Sequence, residues 1–198
     1  MSRPKRTDDT RDRLLAVGLS LFSRQGYHGT GIKDITDSAG VPKGSFYNYF
    51  ESKEGYMAEI IRHYGDQATQ RWNENLRSAP DSPLATLRHH YETGIANYEK
   101  NTTRSGCLIG NLAAEISESS ELCRDTLCAV MDAPRARFVH YLKQAQATGE
   151  ARTDLSAEEM ADFFWNAWEG SLLRMKIENS ATPVRRCMDL MFEHFFKA

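Results

Sequence analysis

The sequence predicts an all-α protein, and three observations carry that expectation. Ala, Leu and Met together number 43 against 13 Val and Ile, a balance that favours helices over sheets. Apolar residues recur at three- and four-residue spacing, the signature of helices with one buried face. Gly, Pro and Ser clusters then cut the chain into about nine such segments.

Composition narrows the function classes. At 198 residues the chain fits one or two small domains with room for a real core. Charged residues make up 26% and hydrophobic ones 40%, ordinary for a folded protein. The net charge of -2 excludes a blanket nucleic-acid coat, so any such site must be local. The charge is uneven: residues 1–53 carry nine Lys/Arg and six acids, +3, which leaves -5 for the rest. Cys107, Cys123, Cys128 and Cys187 form no C-x-x-C and have no His at ligand spacing, so no metal site and a reducing compartment are expected. The charged start, Met-Ser-Arg-Pro-Lys-Arg-Thr-Asp-Asp, has no apolar signal core, and Leu14–Phe22 falls far below the roughly 18 residues of a membrane span. A cytoplasmic protein with no membrane association is expected. No Gly-rich phosphate loop or nucleophile elbow is present, which argues against an enzyme and against a bound cofactor.

The elements follow in order. Leu14, Leu15, Val17, Gly18, Leu21 and Phe22 keep the spacing of one face and predict a first helix over about Thr7–Arg24, stopped by Gly26. Thr30 reads as the N-cap of a short second helix carrying Ile32 and Ile35, with Lys33 where a capping box would want Glu. Ala39-Gly40-Val41-Pro42 then supplies a small packing residue, a left-handed turn, an apolar plug and a helix-opening Pro. A third helix is expected over Lys43–Tyr49, and a fourth, capped by Ser52, to about Arg77. Two short helices joined by a Gly turn are the helix-turn-helix pattern. Phe46 and Phe50 can anchor the second of these to the first helix. Lys43, Ser45, Tyr47, Asn48 and Tyr49 then remain on the outward side, donors and flat rings suited to phosphates and base edges.

The stretch Gly26–Ile35, with Ala39-Gly40-Val41-Pro42-Lys43-Gly44-Ser45-Phe46-Tyr47-Asn48-Tyr49-Phe50 and Ser52-Lys53-Glu54, resembles the DNA-binding domain of TetR-type transcriptional regulators. The resemblance is dense over residues 7–60. It implies an all-helical homodimer with a DNA-binding domain at 1–55 and an effector-sensing and dimerisation domain at 56–198. By the same resemblance Thr30, Tyr49 and Lys53 touch phosphates, and Lys43, Ser45, Tyr47 and Asn48 face the major groove of a palindromic operator. Thr36 stands where the family usually has Ala, and Gly31 where Thr or Ser is frequent.

The rest of the chain reads as helices over about 84–99, 107–117, 120–147, 156–179 and 183–197. Pro134 predicts a kink or break in the third of these, and Ser156 with Glu159 a capping box for the fourth. Val184, Met188, Met191, Phe192, Phe195 and Phe196 form an apolar stripe that reads as a dimer face. Cys107 shares a helical face with Gly110, Asn111 and Ala114, so its thiol should be exposed and favoured as thiolate by the helix N-terminus. The other three cysteines are expected to pack. Trp165, Trp168, Leu172 and Lys176 share a stripe with Glu169 at its edge, where partial desolvation would favour a neutral, nucleophilic lysine. Snorkelling of Lys176, or pairing with Glu169, is the simpler alternative.

Ser105–Glu115 and Phe164–Lys176 resemble the sensor segments of TetR-type repressors that answer reactive electrophiles and oxidants, of the N-ethylmaleimide reductase repressor and acrylate-responsive types. That resemblance implies Cys107 as the modified sulfur and Lys176 as its bonding partner, with Asn111, Trp165 and Trp168 around them. A rival expectation keeps the regulator but places a non-covalent inducer between helices 6 and 8, with Arg104 or Arg174 pairing a carboxylate.

Overall fold

A computed structural model describes residues 6–100 and 106–197; the expected loop at 101–105, with Arg104, lies outside them. The described residues form nine α-helices: α1 Arg6–Gln25, α2 Ile32–Ala39, α3 Lys43–Phe46, α4 Lys53–Leu76, α5 Pro83–Lys100, α6 Leu108–Ile116, α7 Glu121–Ala147, α8 Ala157–Glu178 and α9 Thr182–Leu190. A π-helical turn over Met191–Phe195 follows α9. The all-α expectation therefore holds.

The chain packs as two compact units, one of residues 1–67 with 108–130 and one of residues 68–107 with 131–198. The expected boundary at residue 55 falls inside α4. Tyr56, Met57, Ile60 and Ile61 of α4 are fully buried, and the Tyr56 hydroxyl donates to the Leu14 carbonyl at 2.6 Å. The start of α4 thus belongs to the core of the first unit.

Several local expectations shift by a residue or a turn. The N-cap of α2 is Gly31, not Thr30. Asp34, three residues on, accepts from the Gly31 N–H at 2.8 Å, so the reciprocal acid expected to be missing is present in a shifted register. Gly40 takes the left-handed conformation that lets the chain leave α2 sharply (φ +63°). The α-helical part of α3 ends at Phe46, and turns carry the chain to Tyr49. Phe46 and Phe50 are anchored on Tyr56 of α4, with ring centroids 5.1 and 4.6 Å away. The Ser156 box forms as expected. Pro134 does not break α7, which is helical throughout; its missing N–H still leaves the Val130 carbonyl without a helical donor.

The second unit has one apolar core drawn from α4, α5, α7, α8, α9 and the π-helical turn. Val184, Met188, Met191, Phe192 and Phe196 are buried in it, with Phe195 packed against it. The stripe expected to be a dimer face is therefore interior. The apolar side chains that α8 and α9 leave exposed are Phe163, Leu173, Ile177 and Leu190.

Candidate functional site

In the first unit the turn between α1 and α2 is closed from several sides. Thr30 is 1% exposed and its hydroxyl donates to the Gly26 carbonyl at 2.8 Å. Lys53 donates to the Tyr27 carbonyl at 2.6 Å and its ammonium lies 4.1 Å over the Tyr27 ring. Burial lowers its pKa, against the opposing pull of Glu115 and Asp34. Glu115, from α6, accepts from the Tyr27 and His28 backbone N–H groups at 2.8 and 3.2 Å. Gly26 has φ +71°, and a Cβ there would run into Glu115 Oε1. Thr30, expected at a phosphate, thus spends its hydroxyl inside the protein, and Lys53, half-buried, spends one of its three N–H donors on the Tyr27 carbonyl.

The outward side of α3 differs. Lys43, Tyr47 and Asn48 are exposed, and Ser45 and Tyr49 are half-buried. Gly44 has no atom within 4 Å of where a Cβ would stand, so packing does not explain its missing side chain.

In the second unit Cys107 is half-buried, directly before α6, and packs against the apolar core. Its thiol donates a hydrogen bond to the Glu169 carboxyl, and burial raises the Glu169 pKa despite that bond. Glu169 Oε1 is buried without a partner, as is the indole Nε1 of Trp165 one turn earlier on α8. Trp168 is buried within 5.0 Å of Tyr91, centroid to centroid. Tyr98 is pushed up to about 12, by burial first and then by the Cys107 and Glu169 charges. The methylenes of Lys176 pass beside Gly106, with Cδ 4.0 Å from where a Gly106 Cβ would stand. Lys176 itself is exposed, so the partial desolvation expected there is not found.

Asn111 is half-buried on α6, in the first unit. Arg174 is paired with Glu178 at 2.8 Å. Cys123 and Cys187 are buried as expected, but Cys128 is exposed. Two groups escaped the sequence reading. Glu169, expected at the edge of the stripe or paired with Lys176, is instead bonded by the Cys107 thiol; an acid one turn after Trp165 in an aromatic helix is the signal for it. Arg137 lies over the Trp72 ring at 5.6 Å with its Nε buried and unpartnered. A separate open cleft of about 390 Å³ is lined by Arg88, Glu150, Glu193 and Lys197. Their charges are already engaged: Glu193 takes both Arg88 and Lys197, and Glu150 takes Ser82. Among the described residues no group of three His, Cys, Asp or Glu is placed to hold a metal, and no helix is long and apolar enough to cross a membrane.

Residues 14–60 match the family described as bacterial regulatory proteins, tetR family, and residues 83–191 match the tetracyclin repressor-like C-terminal domain. The chain belongs to the TetR family. It is a DNA-binding transcriptional regulator of the repressor type, not an enzyme. Among TetR relatives it is 33% identical to the HTH-type transcriptional repressor DhaR of Mycobacterium sp. (strain GP1), over 92% of this chain and 90% of that protein. It is 31% identical to the transcriptional regulator AcuR of Cereibacter sphaeroides, over 92% and 83%. It is 32% identical to the repressor NemR of Escherichia coli (strain K12), over 91% and 90%. The crystal structure of reduced E. coli NemR superposes with a TM-score of 0.86 at 28% identity, covering 96% of this chain and 97% of that one.

Proposed function

We propose that this TetR regulator binds a palindromic operator as a homodimer and releases it when a reactive electrophile or oxidant modifies Cys107, with Lys176 as a bonding partner. The observation that carries the reading is the thiol itself. Cys107 is half-buried at the head of α6, tied to a buried carboxyl, with the Lys176 side chain passing the preceding residue. A thiol of this kind can add to an activated double bond or be oxidised.

Covalent continuity supports the link to DNA. Helix α6 begins one residue after Cys107 and carries Glu115, which holds the α1–α2 turn by two backbone N–H groups. A shift of α6 would loosen that turn and bias the two-state equilibrium of the reader. On the DNA side Lys43, Tyr47 and Asn48 are the exposed side chains of the recognition segment, with Ser45 and Tyr49 at its margin. The empty space around Gly44 leaves room for close approach of a duplex. Thr30 and Lys53 support the turn and are not assigned to phosphates. Dimerisation is assigned to the exposed Phe163, Leu173 and Ile177, along one face of α8, with Leu190 of α9. A reader of operator DNA works in the cytoplasm.

The test is release of upstream DNA in a shift assay with acrolein, a quinone or hypochlorite, alongside peptide-resolved mass spectrometry. Cys107→Ser should stay bound under all three, and normal release by that variant overturns the covalent reading. A second reading, a non-covalent inducer, is favoured by Trp165 Nε1, Glu169 Oε1 and Arg137 Nε, polar atoms with no partner of their own. Release without any mass change on Cys107 selects it.

A further inference from the structure

Trp165, Glu169, Leu172 and Lys176 follow one another along α8 at steps of four, three and four residues, so they share one side of the helix. Trp165 and Lys176 frame that side, and Glu169 stands between them with its carboxyl hydrogen-bonded by the Cys107 thiol. Its surroundings are aromatic: Tyr91 and Tyr98 of α5 both feel its charge. Arg71 of α4 acts on Tyr98, Arg137 of α7 acts on Tyr91, and Lys176 of α8 lies beside Gly106. Burial dominates the carboxyl itself, and the thiol is what favours its ionised form. A carboxyl held in this way is a stronger base than an exposed one, and the thiol is already hydrogen-bonded to it.

We propose that Glu169 is the proton acceptor for Cys107 when the thiol adds to an α,β-unsaturated carbonyl compound. The inference rests on the covalent reading of Cys107. In the step, the S–H proton passes to the Glu169 carboxylate and the freed sulfur lone pair bonds the β-carbon. The π electrons move onto the carbonyl as an enolate, whose α-carbon takes the proton back from Glu169. No group leaves and no oxidant is used. The thiol–carboxylate and thiolate–carboxylic acid forms each carry one negative charge, so the transfer adds no charge to a buried site. A proton lost to solvent would instead leave two negative charges side by side.

The experiment follows the rate of Cys107 alkylation in the full chain, using N-ethylmaleimide from about pH 5.5 to about pH 9. Wild type should keep a shallow profile on the acid side. Glu169→Gln should fall about tenfold per pH unit there, as free thiols do, and run at least about tenfold below wild type near pH 6. Near pH 9 the Gln variant should equal or exceed wild type, because the neighbouring negative charge is gone. Glu169→Asp, which keeps the carboxyl, should restore the shallow acid limb at a reduced rate. A Gln variant as fast as or faster than wild type at every pH overturns the inference and makes Glu169 a suppressor of the thiol. Absence of a Cys107 adduct in wild type overturns the covalent reading instead, so the two failures are distinct.

Discussion

The two units treat their polar groups in opposite ways. In the first, the turn from Gly26 to Thr30 is bonded by Thr30, Lys53 and Glu115, and the one deeply buried tyrosine hydroxyl has its carbonyl. In the second, three buried side-chain atoms have no partner, and they are all such atoms found among the described residues. Buried polar groups without partners cost stability. Their confinement to the second unit marks it as the place where hydrogen-bonding capacity is kept open for something that arrives. The first unit is built to hold one shape and lend it to DNA.

Perturbations can break or sharpen this contrast, and the largest falls in the first unit. Phe46 is fully buried, so Phe46→Ala should cost about 3–5 kcal/mol in urea unfolding and abolish operator binding at working temperature. In the second unit, burial first and then the Arg137 and Arg71 charges hold His90 at about 4, below its ordinary 6.5. The unfolded chain binds a proton between those values that the folded chain does not. Stability is therefore complete above about pH 6.5 and falls as pH drops toward about 4. Allowing for its partial exposure the loss is about 2 kcal/mol, and His90→Gln should flatten that limb of the stability curve. Glu115→Ala should cost about 1–2 kcal/mol and weaken the response of DNA binding to Cys107 modification, read as the ratio of operator affinities before and after labelling. Lys53→Met should cost about 1 kcal/mol and leave the salt dependence of operator binding unchanged. A slope reduced by about one charge would restore Lys53 to the phosphates. The smallest effect should have the opposite sign: Glu169→Leu should raise stability by about 0.5–1 kcal/mol, because it replaces a desolvated carboxyl in an apolar core.

Much of the fold was written locally. Gly40, Pro42, Ser52 and the Ser156–Glu159 pair each announced a helix boundary, because caps and left-handed turns are chosen by one or two residues. The register of α2 slipped because Thr30 and Gly31 are both acceptable N-caps and only Asp34 decides between them. The apolar stripe of α9 was legible as buried, but a period of 3.6 does not say whether its partner is the chain's own core or a second copy. The resemblance pairs Lys176 with Cys107, and the structure places the Lys176 methylenes beside Gly106, the residue before that cysteine. The Cys107–Glu169 bond was not legible, since it joins positions far apart in sequence and depends on how α8 faces the residue before α6. Arg137 and its unpartnered nitrogen left no trace in local pattern at all.

The contact between Gly26 and Glu115 has a genetic consequence. A side chain at 26 would collide with the Glu115 carboxylate and also strain the left-handed backbone. Removing Glu115 first would relieve the collision and leave only the strain. Substitutions at these two positions should therefore be epistatic, with Gly26→Ala more harmful in wild type than in a Glu115→Ala background. A mutational screen of the first unit would then recover variants at position 26 more readily in clones that had already changed Glu115. The Glu115 carboxylate beside Gly26 thus favours one order in which such changes accumulate.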